Sequence, residues 1–88
     1  MKILIVGKIT ERSKQQFMDV ETKLRLEGHE VENPAKSIPK VYLSDEDYII
    51  RYFLRELSNN TNIYLLPDWF TMPGASIIQS IIKLLFKF

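Results

Sequence analysis

The chain has 88 residues, of which 45% are hydrophobic and 26% are charged, a balance typical of one soluble globular domain over residues 1–88. Twelve Lys and Arg against eleven Asp and Glu leave a net charge of +1, which argues against a nucleic-acid-binding domain. The absence of cysteine and the single histidine exclude disulfides and cysteine nucleophiles, and we predict neither a metal site nor a cofactor.

The apolar segments of the chain are short. None reaches the roughly 18 residues of a membrane-spanning helix, and the N-terminal run from Ile3 to Val6 is too short for a signal peptide. We therefore expect a cytoplasmic protein with no membrane partner.

The first quarter of the chain predicts a strand followed by a helix. The apolar run Ile3 to Val6 is typical of a strand buried on both faces of a parallel sheet, and Gly7 ends it. Thr10 can cap a helix over about residues 11–27, and Gly28 stands where a helix C-cap glycine belongs.

The middle of the chain predicts an edge strand, a loop and a second helix. Residues 29–32 contain one central apolar residue and end at Asn33-Pro34, and residues 35–43 show no period and are predicted to be loop. Ser44 is predicted to cap a helix over residues 45–58. The three acids that begin this helix match the positive end of its dipole, and we do not interpret them as metal ligands.

The last third predicts a strand over residues 63–66 and a helix over about residues 75–85. The β-α-β-α-β-α alternation favours an α/β fold with a parallel sheet of order 2-1-3, of three strands, or four if a strand follows the last helix. Ligands of such folds bind beyond the carboxyl ends of the strands, where the strand order reverses. The expected site therefore combines the loop at 7–10 with the segment 67–76.

The loop after the first strand has two interpretations. Gly7, Lys8 and Ile9 precede a helix N-terminus, whose free N–H groups suit a phosphate or sugar contact to which Lys8 adds a positive charge. Alternatively, Gly7 only lets the chain leave the strand, and Lys8 is solvated. No G-x-G-x-x-G or G-x-x-x-x-G-K-[ST] motif supports a dinucleotide or P-loop site.

The segment after the third strand also has two interpretations. Trp69 and Phe70, beside Asp68, either present an aromatic surface to a ligand or partner or fold back together as a plug on a small core. Gly74 and Ser76 are small residues at the start of the last helix and would let a ligand approach its N-terminus.

The last helix is predicted to be apolar on nearly every side. Its apolar residues are Ile77, Ile78, Ile81, Ile82, Leu84, Leu85, Phe86 and Phe88. A monomer of this size cannot bury them all, so we predict that this helix packs against a second copy in a homo-oligomer. A membrane-surface contact fits less well, because only Lys83 and Lys87 supply charge.

Three stretches of the chain resemble a known family in order. They are Met1 to Thr10, the G-H-E-V-x-N-P-A stretch from Gly28 to Ala35, and the Y-L-L-P-x-W stretch from Tyr64 to Trp69 followed by Gly74-Ala75. They look like a small phage- and bacteria-associated family of unknown function, which is in turn similar to the nucleoside 2-deoxyribosyltransferases. The resemblance covers nearly the whole chain and implies a three-layer, Rossmann-like and flavodoxin-like sandwich.

The resemblance implies a site but not its reaction. In such transferases a glutamate, four residues after the glycine of a G-[AT]-x-x-E motif, attacks the anomeric carbon. Four residues after Gly74 this chain has Ile78. The positions of the other acids fall on Tyr52, Thr61 and Phe70, which leaves Asp68 as the nearest acid. The resemblance therefore implies a divergent protein that binds a nucleoside or nucleotide without the catalytic glutamate.

Two alternatives remain open at this point. The protein could be an active nucleoside deoxyribosyltransferase or hydrolase that uses Asp68 or an acid from another subunit. It could instead be a non-catalytic oligomeric interaction module that acts through its apolar last helix.

Overall fold

The centre of the protein is a three-stranded parallel sheet. The structure, a computed structural model, describes residues 2–59, 62–72 and 74–86. Strand β1 (Lys2–Val6) lies between β2 (Glu30–Glu32) and β3 (Asn62–Leu65), and this order, β2-β1-β3, confirms the predicted one. Val6 pairs with Leu65, so β1 and β3 end together at one edge of the sheet, called here the carboxyl edge. Strand β2 ends at the same side but earlier, where Glu32 pairs with Leu4. Within the described residues no fourth strand joins them.

Helices cover both faces of the sheet, because alternate residues of β1 point in opposite directions. On one face, Ile3 and Ile5 pack with Phe17 of helix α1 (Lys14–Leu26). On the other face, Leu4 and Val6 pack with residues of helices α3 (Glu46–Asn59) and α4 (Ala75–Phe86). The protein is therefore a three-layer α/β sandwich with two small apolar cores, as predicted.

Helix α1 begins three residues later than predicted, so Thr10 caps the turn that precedes the helix and not the helix itself, whose N-cap residue, Ser13, makes no side-chain capping bond. The Thr10 side chain accepts a hydrogen bond from Ser13 N (3.1 Å), and Ser13 Oγ accepts one from Thr10 N (2.7 Å). This reciprocal pair is a capping box with serine at its second position. At the other end, Gly28 has a φ of +91°, in agreement with the expected C-cap glycine.

The segment predicted to be a loop contains two short helices. Helix α2 (Pro34–Ser37) begins because Asn33 Oδ1 accepts a hydrogen bond from Ala35 N (3.0 Å) and Pro34 occupies the first helical position. A 3-10 helix follows at Lys40–Tyr42. The prediction was wrong here because Asn33-Pro34 was taken only as the end of a strand, whereas the same pair also starts a helix.

The cap of α3 is Asp45 and not Ser44. Asp45 Oδ1 accepts a hydrogen bond from Tyr48 N (3.1 Å), which satisfies one of the free N–H groups of the first turn. Glu46 and Asp47 follow it in that turn, as the dipole interpretation expected.

The apolar character of α4 can be assessed for its first half. Ile78 is buried, Ile81 is half-buried, and Ile77 is exposed. The side chains from Leu84 to Phe88, and that of Ile82, lie outside the described residues, so the predicted subunit contact stays a prediction. In the part of the chain that the structure describes, no helix combines the length and apolarity needed to cross a membrane.

Candidate functional site at the carboxyl edge

A small cavity opens at the carboxyl edge beside the end of β1. Its volume is about 70 Å³, and it is lined by Gly7, Lys8, Ile9, Leu43, Ile49 and Met72. Three of these residues belong to the predicted site, and Lys8 is the one charged residue in the lining. Small-molecule pockets usually have volumes of about 300–1,000 Å³. A nucleoside could therefore enter this cavity only in part and would lie across its mouth.

Gly7 is required by the packing of the loop that follows β3. Leu66 N donates a hydrogen bond to Val6 O (2.8 Å), which brings the Leu66 side chain against the end of β1. A Cβ on Gly7 would lie 2.7 Å from Leu66 Cδ1 and 2.9 Å from Leu66 Cβ. The structure therefore gives Gly7 a structural role, and the same close approach places it in the cavity wall.

The backbone of the loop at Lys8 is held by side-chain hydrogen bonds. Ser13 Oγ donates to Lys8 O (2.7 Å), in addition to its bonds with Thr10. Ser13 is buried, whereas Lys8 is exposed. The backbone of the loop is thus fixed in place, while the Lys8 side chain is exposed and makes no ion pair with a described residue.

Asp68 carries a buried oxygen without a partner. Its Oδ1 is buried and has no hydrogen-bond donor among the described residues. Its backbone carbonyl, in contrast, accepts bonds from Thr71 N (3.0 Å) and Thr71 Oγ1 (2.7 Å). Because a buried carboxylate oxygen normally has a donor, this atom is the strongest local sign of a missing partner in the segment after β3.

Of the two aromatic residues that follow Asp68, one packs against the core and the other is exposed. Trp69 is half-buried and packs against the apolar cluster that contains Leu4 and Met72, while the Phe70 side chain is 65% exposed. Trp69 therefore acts as the plug of the alternative interpretation. It remains coupled to the cavity, since Met72 N donates a hydrogen bond to Trp69 O (3.2 Å) and Met72 lines the cavity wall.

The remaining predicted site residues lie at the start of α4 and outside the cavity lining. Gly74 has a φ of +73°, and its carbonyl accepts the bond from Ile78 N (3.0 Å) that begins the helix. Ser76 is exposed, and its carbonyl accepts a hydrogen bond from Ser80 Oγ (3.0 Å). The structure thus groups Gly7, Lys8 and Ile9 around one cavity and leaves the others beside it.

The position that corresponds to the transferase nucleophile lies in the core. Ile78 is fully buried and belongs to the apolar cluster formed with β1 and α3. A carboxylate at this place would be surrounded by hydrocarbon. Of the other acid positions in the resemblance, Tyr52 is buried and Phe70 is exposed, while Thr61 lies outside the described residues.

A second polar group at the carboxyl edge was not predicted from the sequence. Glu32, at the end of β2, accepts hydrogen bonds on Oε1 from Tyr52 Oη (3.0 Å) and from Ser37 Oγ. Burial, and after it the charge of Glu32, raises the pKa of the Tyr52 hydroxyl well above its ordinary value of 10.0. The glutamate has two donors, so it fastens α2 and α3 to β2. No sequence spacing indicates this contact, because the three residues meet only through the fold.

A comparison with family models gives one match. The family described as a domain of unknown function, DUF4406, matches residues 1–87, so the chain belongs to this family. The match confirms the expectation of a family of unknown function and leaves the further likeness to deoxyribosyltransferases untested. No curated protein and no solved structure matches the chain.

Proposed function

We propose that this member of the DUF4406 family binds a nucleoside or nucleotide at the carboxyl edge without transferring its sugar. The observation that carries the proposal is the loop Gly7 to Ile9, which lines a cavity where the strand order reverses and presents Lys8, a cation with no carboxylate partner among the described residues. Helices leave this edge on opposite faces of the sheet, and such a crevice is the usual ligand site of open parallel sheets. The sugar and base would lie across the cavity mouth, and a phosphate would meet Lys8.

The absence of transfer in this proposal follows from the chemistry of the reaction. Glycosyl transfer with retention needs a carboxylate that attacks the anomeric carbon and an acid that protonates the leaving base. Ile78 is aliphatic and buried at the nucleophile position of the resemblance. Without the nucleophile most of the rate advantage is lost.

A ligand would also satisfy Asp68. Its buried Oδ1 has no donor among the described residues. A sugar hydroxyl or a base N–H group is a donor of the right kind, and a charge-assisted hydrogen bond is about twice as strong as a neutral one. Because this oxygen is enclosed and Asp68 lies outside the cavity lining, we propose that binding shifts the loop after β3 and brings the donor of the ligand to Asp68.

Titration followed by Trp69 fluorescence tests the binding. Trp69 is the only tryptophan of the chain, and its backbone is bonded to Met72 of the cavity wall. We expect saturable changes with a deoxynucleoside and with its 5′-monophosphate. The variant Lys8→Ala should lower the affinity for the monophosphate about 5-fold, which is the effect of one exposed charge-assisted hydrogen bond. It should leave the affinity for the nucleoside unchanged.

The matched control is Lys23→Ala. It removes the same charge from the last turn of α1, at the opposite edge of the sheet, and should leave both titrations unchanged. A flat response of the folded protein across a panel of deoxynucleosides and monophosphates would overturn the proposal. An equal loss in both lysine variants would show that only net charge matters.

The unpaired oxygen of Asp68 also favours a second candidate, an active transferase or hydrolase with Asp68 as its acid. Release of free base from a deoxynucleoside, lost in Asp68→Asn, would establish it. No release at high protein concentration, for the wild type and the variant alike, would refute it.

We further propose that residues 1–88 form one cytoplasmic domain that assembles as a homo-oligomer through α4. The support is the exposed Ile77 side chain at the start of an apolar helix. Sedimentation at micromolar concentration tests the assembly. A monomer would refute it and would also count against an interaction module that acts through α4.

A further inference from the structure

The outward side of α3 carries a groove that is larger than the cavity at the carboxyl edge. Its volume is about 320 Å³, and its walls are Tyr48, Arg51, Tyr52 and Arg55. These residues are spaced three and four apart, so they share one face of the helix. The volume lies within the range of pockets that bind small molecules, whereas the cavity at Gly7 does not.

Two of the described residues that line the groove are arginines, and none of them is an acid. Arg51 is exposed and makes no hydrogen bond or ion pair with any residue that the structure describes. The Arg55 guanidinium lies over the Tyr52 ring, 5.9 Å from its centroid, and its Nε lies 3.7 Å from Glu56 Oε1. Two guanidinium groups one helical turn apart offer planar, forked donors that match the oxygens of a phosphate.

The tyrosines make the groove rigid. Tyr52 is buried, packs edge-to-face on Phe53 (5.3 Å between centroids) and is tied to Glu32 through its hydroxyl. Tyr48 stacks on Tyr42 with the rings 4.2 Å apart and 5° from parallel. Tyr48 also lines the groove, and its hydroxyl makes no hydrogen bond with a described residue. A preorganised set of donors binds an anion with little loss of side-chain entropy.

We propose that this groove is a binding site for a small phosphomonoester. Arg51 and Arg55 donate hydrogen bonds to the phosphate oxygens, and Tyr48 donates a third. The net charge of +1 gives no extended basic surface, which favours a single phosphate over the many phosphates of a nucleic acid. The groove shares no described lining residue with the cavity at Gly7, and it does not depend on the function proposed there.

Calorimetric titration with phenyl phosphate tests the proposal, because this probe carries a phosphate and no nucleoside. We expect saturable binding at one site. Arg51→Ala should lower the affinity for phenyl phosphate about 10-fold or more, which is the effect of one charge-assisted hydrogen bond. Arg51→Lys keeps the charge but cannot donate the two parallel hydrogen bonds of a guanidinium, so its affinity should lie between those of Arg51→Ala and the wild type. Lys23→Ala is the control that removes a charge elsewhere, and Lys8→Ala should leave the titration unchanged.

Two further probes identify the source of the phosphate. Inorganic phosphate should bind more weakly than phenyl phosphate, and a short single-stranded oligonucleotide should not bind more tightly. Amide chemical-shift changes should map to Tyr48, Arg51, Tyr52 and Arg55, and should leave Gly7 to Ile9 unperturbed.

Three results would overturn the proposal: no binding of phenyl phosphate by the wild type, undiminished binding by both Arg51→Ala and Arg55→Ala, or binding of the oligonucleotide alone. Both arginines are exposed, and circular dichroism checks that each variant is folded. A failure here leaves the Trp69 titration at the carboxyl edge unaffected, so the two proposals fail separately.

Discussion

Replacement of Gly74 by alanine should destabilise the protein through two separable effects. The φ of +73° at Gly74 costs an L residue about 1–2 kcal/mol. The added Cβ would also lie 2.5 Å from Ile50 Cγ1 and 2.9 Å from Ile50 Cδ1, and overpacking of this kind costs about 1–3 kcal/mol. We therefore expect Gly74→Ala to lower the free energy of unfolding by about 2–5 kcal/mol.

A double-mutant cycle with Ile50 separates the two effects. Ile50→Ala removes both close atoms and leaves Cβ at 3.6 Å, an ordinary contact, so Gly74→Ala in that background should cost only the strain of about 1–2 kcal/mol. The expected coupling energy is about 1–3 kcal/mol. Ile50→Val is the matched control, because valine keeps the nearest carbon and should give little relief.

Urea unfolding followed by far-UV circular dichroism measures all four corners of the cycle. The two substitutions add within about 0.5 kcal/mol if they are independent. Additive effects would refute the contact between α3 and the start of α4, and an undiminished stability of Gly74→Ala would refute the left-handed backbone as well.

Three other substitutions test particular contacts by unfolding experiments. Burial raises the pKa of Glu21, but hydrogen bonds from Asn33 and Arg25 outweigh it and hold the net pKa below 4.5, so this carboxylate stabilises the fold above that pH. Glu21→Gln should therefore cost about 1–2 kcal/mol at pH 7 and progressively less below pH 4.5, whereas a difference that does not vary with pH would contradict this. The raised pKa of Tyr52 keeps its hydroxyl protonated in the folded state, whereas the hydroxyl of the unfolded chain ionises near pH 10. The free energy of unfolding should therefore be undiminished below pH 10 and fall above it. Tyr52→Phe should lower the free energy of unfolding by about 1 kcal/mol and abolish its fall above pH 10. Ile78→Glu should cost more than about 3 kcal/mol and gain no base release, and a folded, active variant would show that this position faces the site.

The elements that the sequence predicted correctly are those whose signals are local. The apolar run in β1 and the glycine at residue 28 each depend on a few neighbouring residues, and both were found where expected. Asn33-Pro34 carries two local signals at once, the end of a strand and the start of a helix, so its second meaning was missed. At Ser44 and Asp45, two adjacent capping residues compete, and only the geometry of the turn selects the aspartate.

The candidate sites depend on contacts that no local pattern records. Gly7 is needed because Leu66, far along the chain, folds against it. The cavity wall is completed by Leu43 and Met72, which come from segments without a periodic signal. Likewise, nothing in the sequence analysis indicated Arg51 and Arg55, because the groove that they line exists only with the neighbouring tyrosines in place.

Three acids that are buried or half-buried also indicate where a ligand could find an unpaired acceptor. Glu21 and Glu32 are engaged by hydrogen bonds to neighbouring elements, whereas Asp68 keeps a buried oxygen unpaired among the described residues. Neutralising an acid that stabilises the fold should lower the free energy of unfolding of the protein, whereas neutralising an acid that serves a ligand should not. We therefore expect Asp68→Asn to leave the free energy of unfolding of the unliganded protein unchanged or slightly raised, because the Oδ1 atom has no donor to lose among the described residues. The same variant should weaken the nucleoside response of Trp69. A variant that loses stability while binding is unchanged would assign Asp68 to the scaffold.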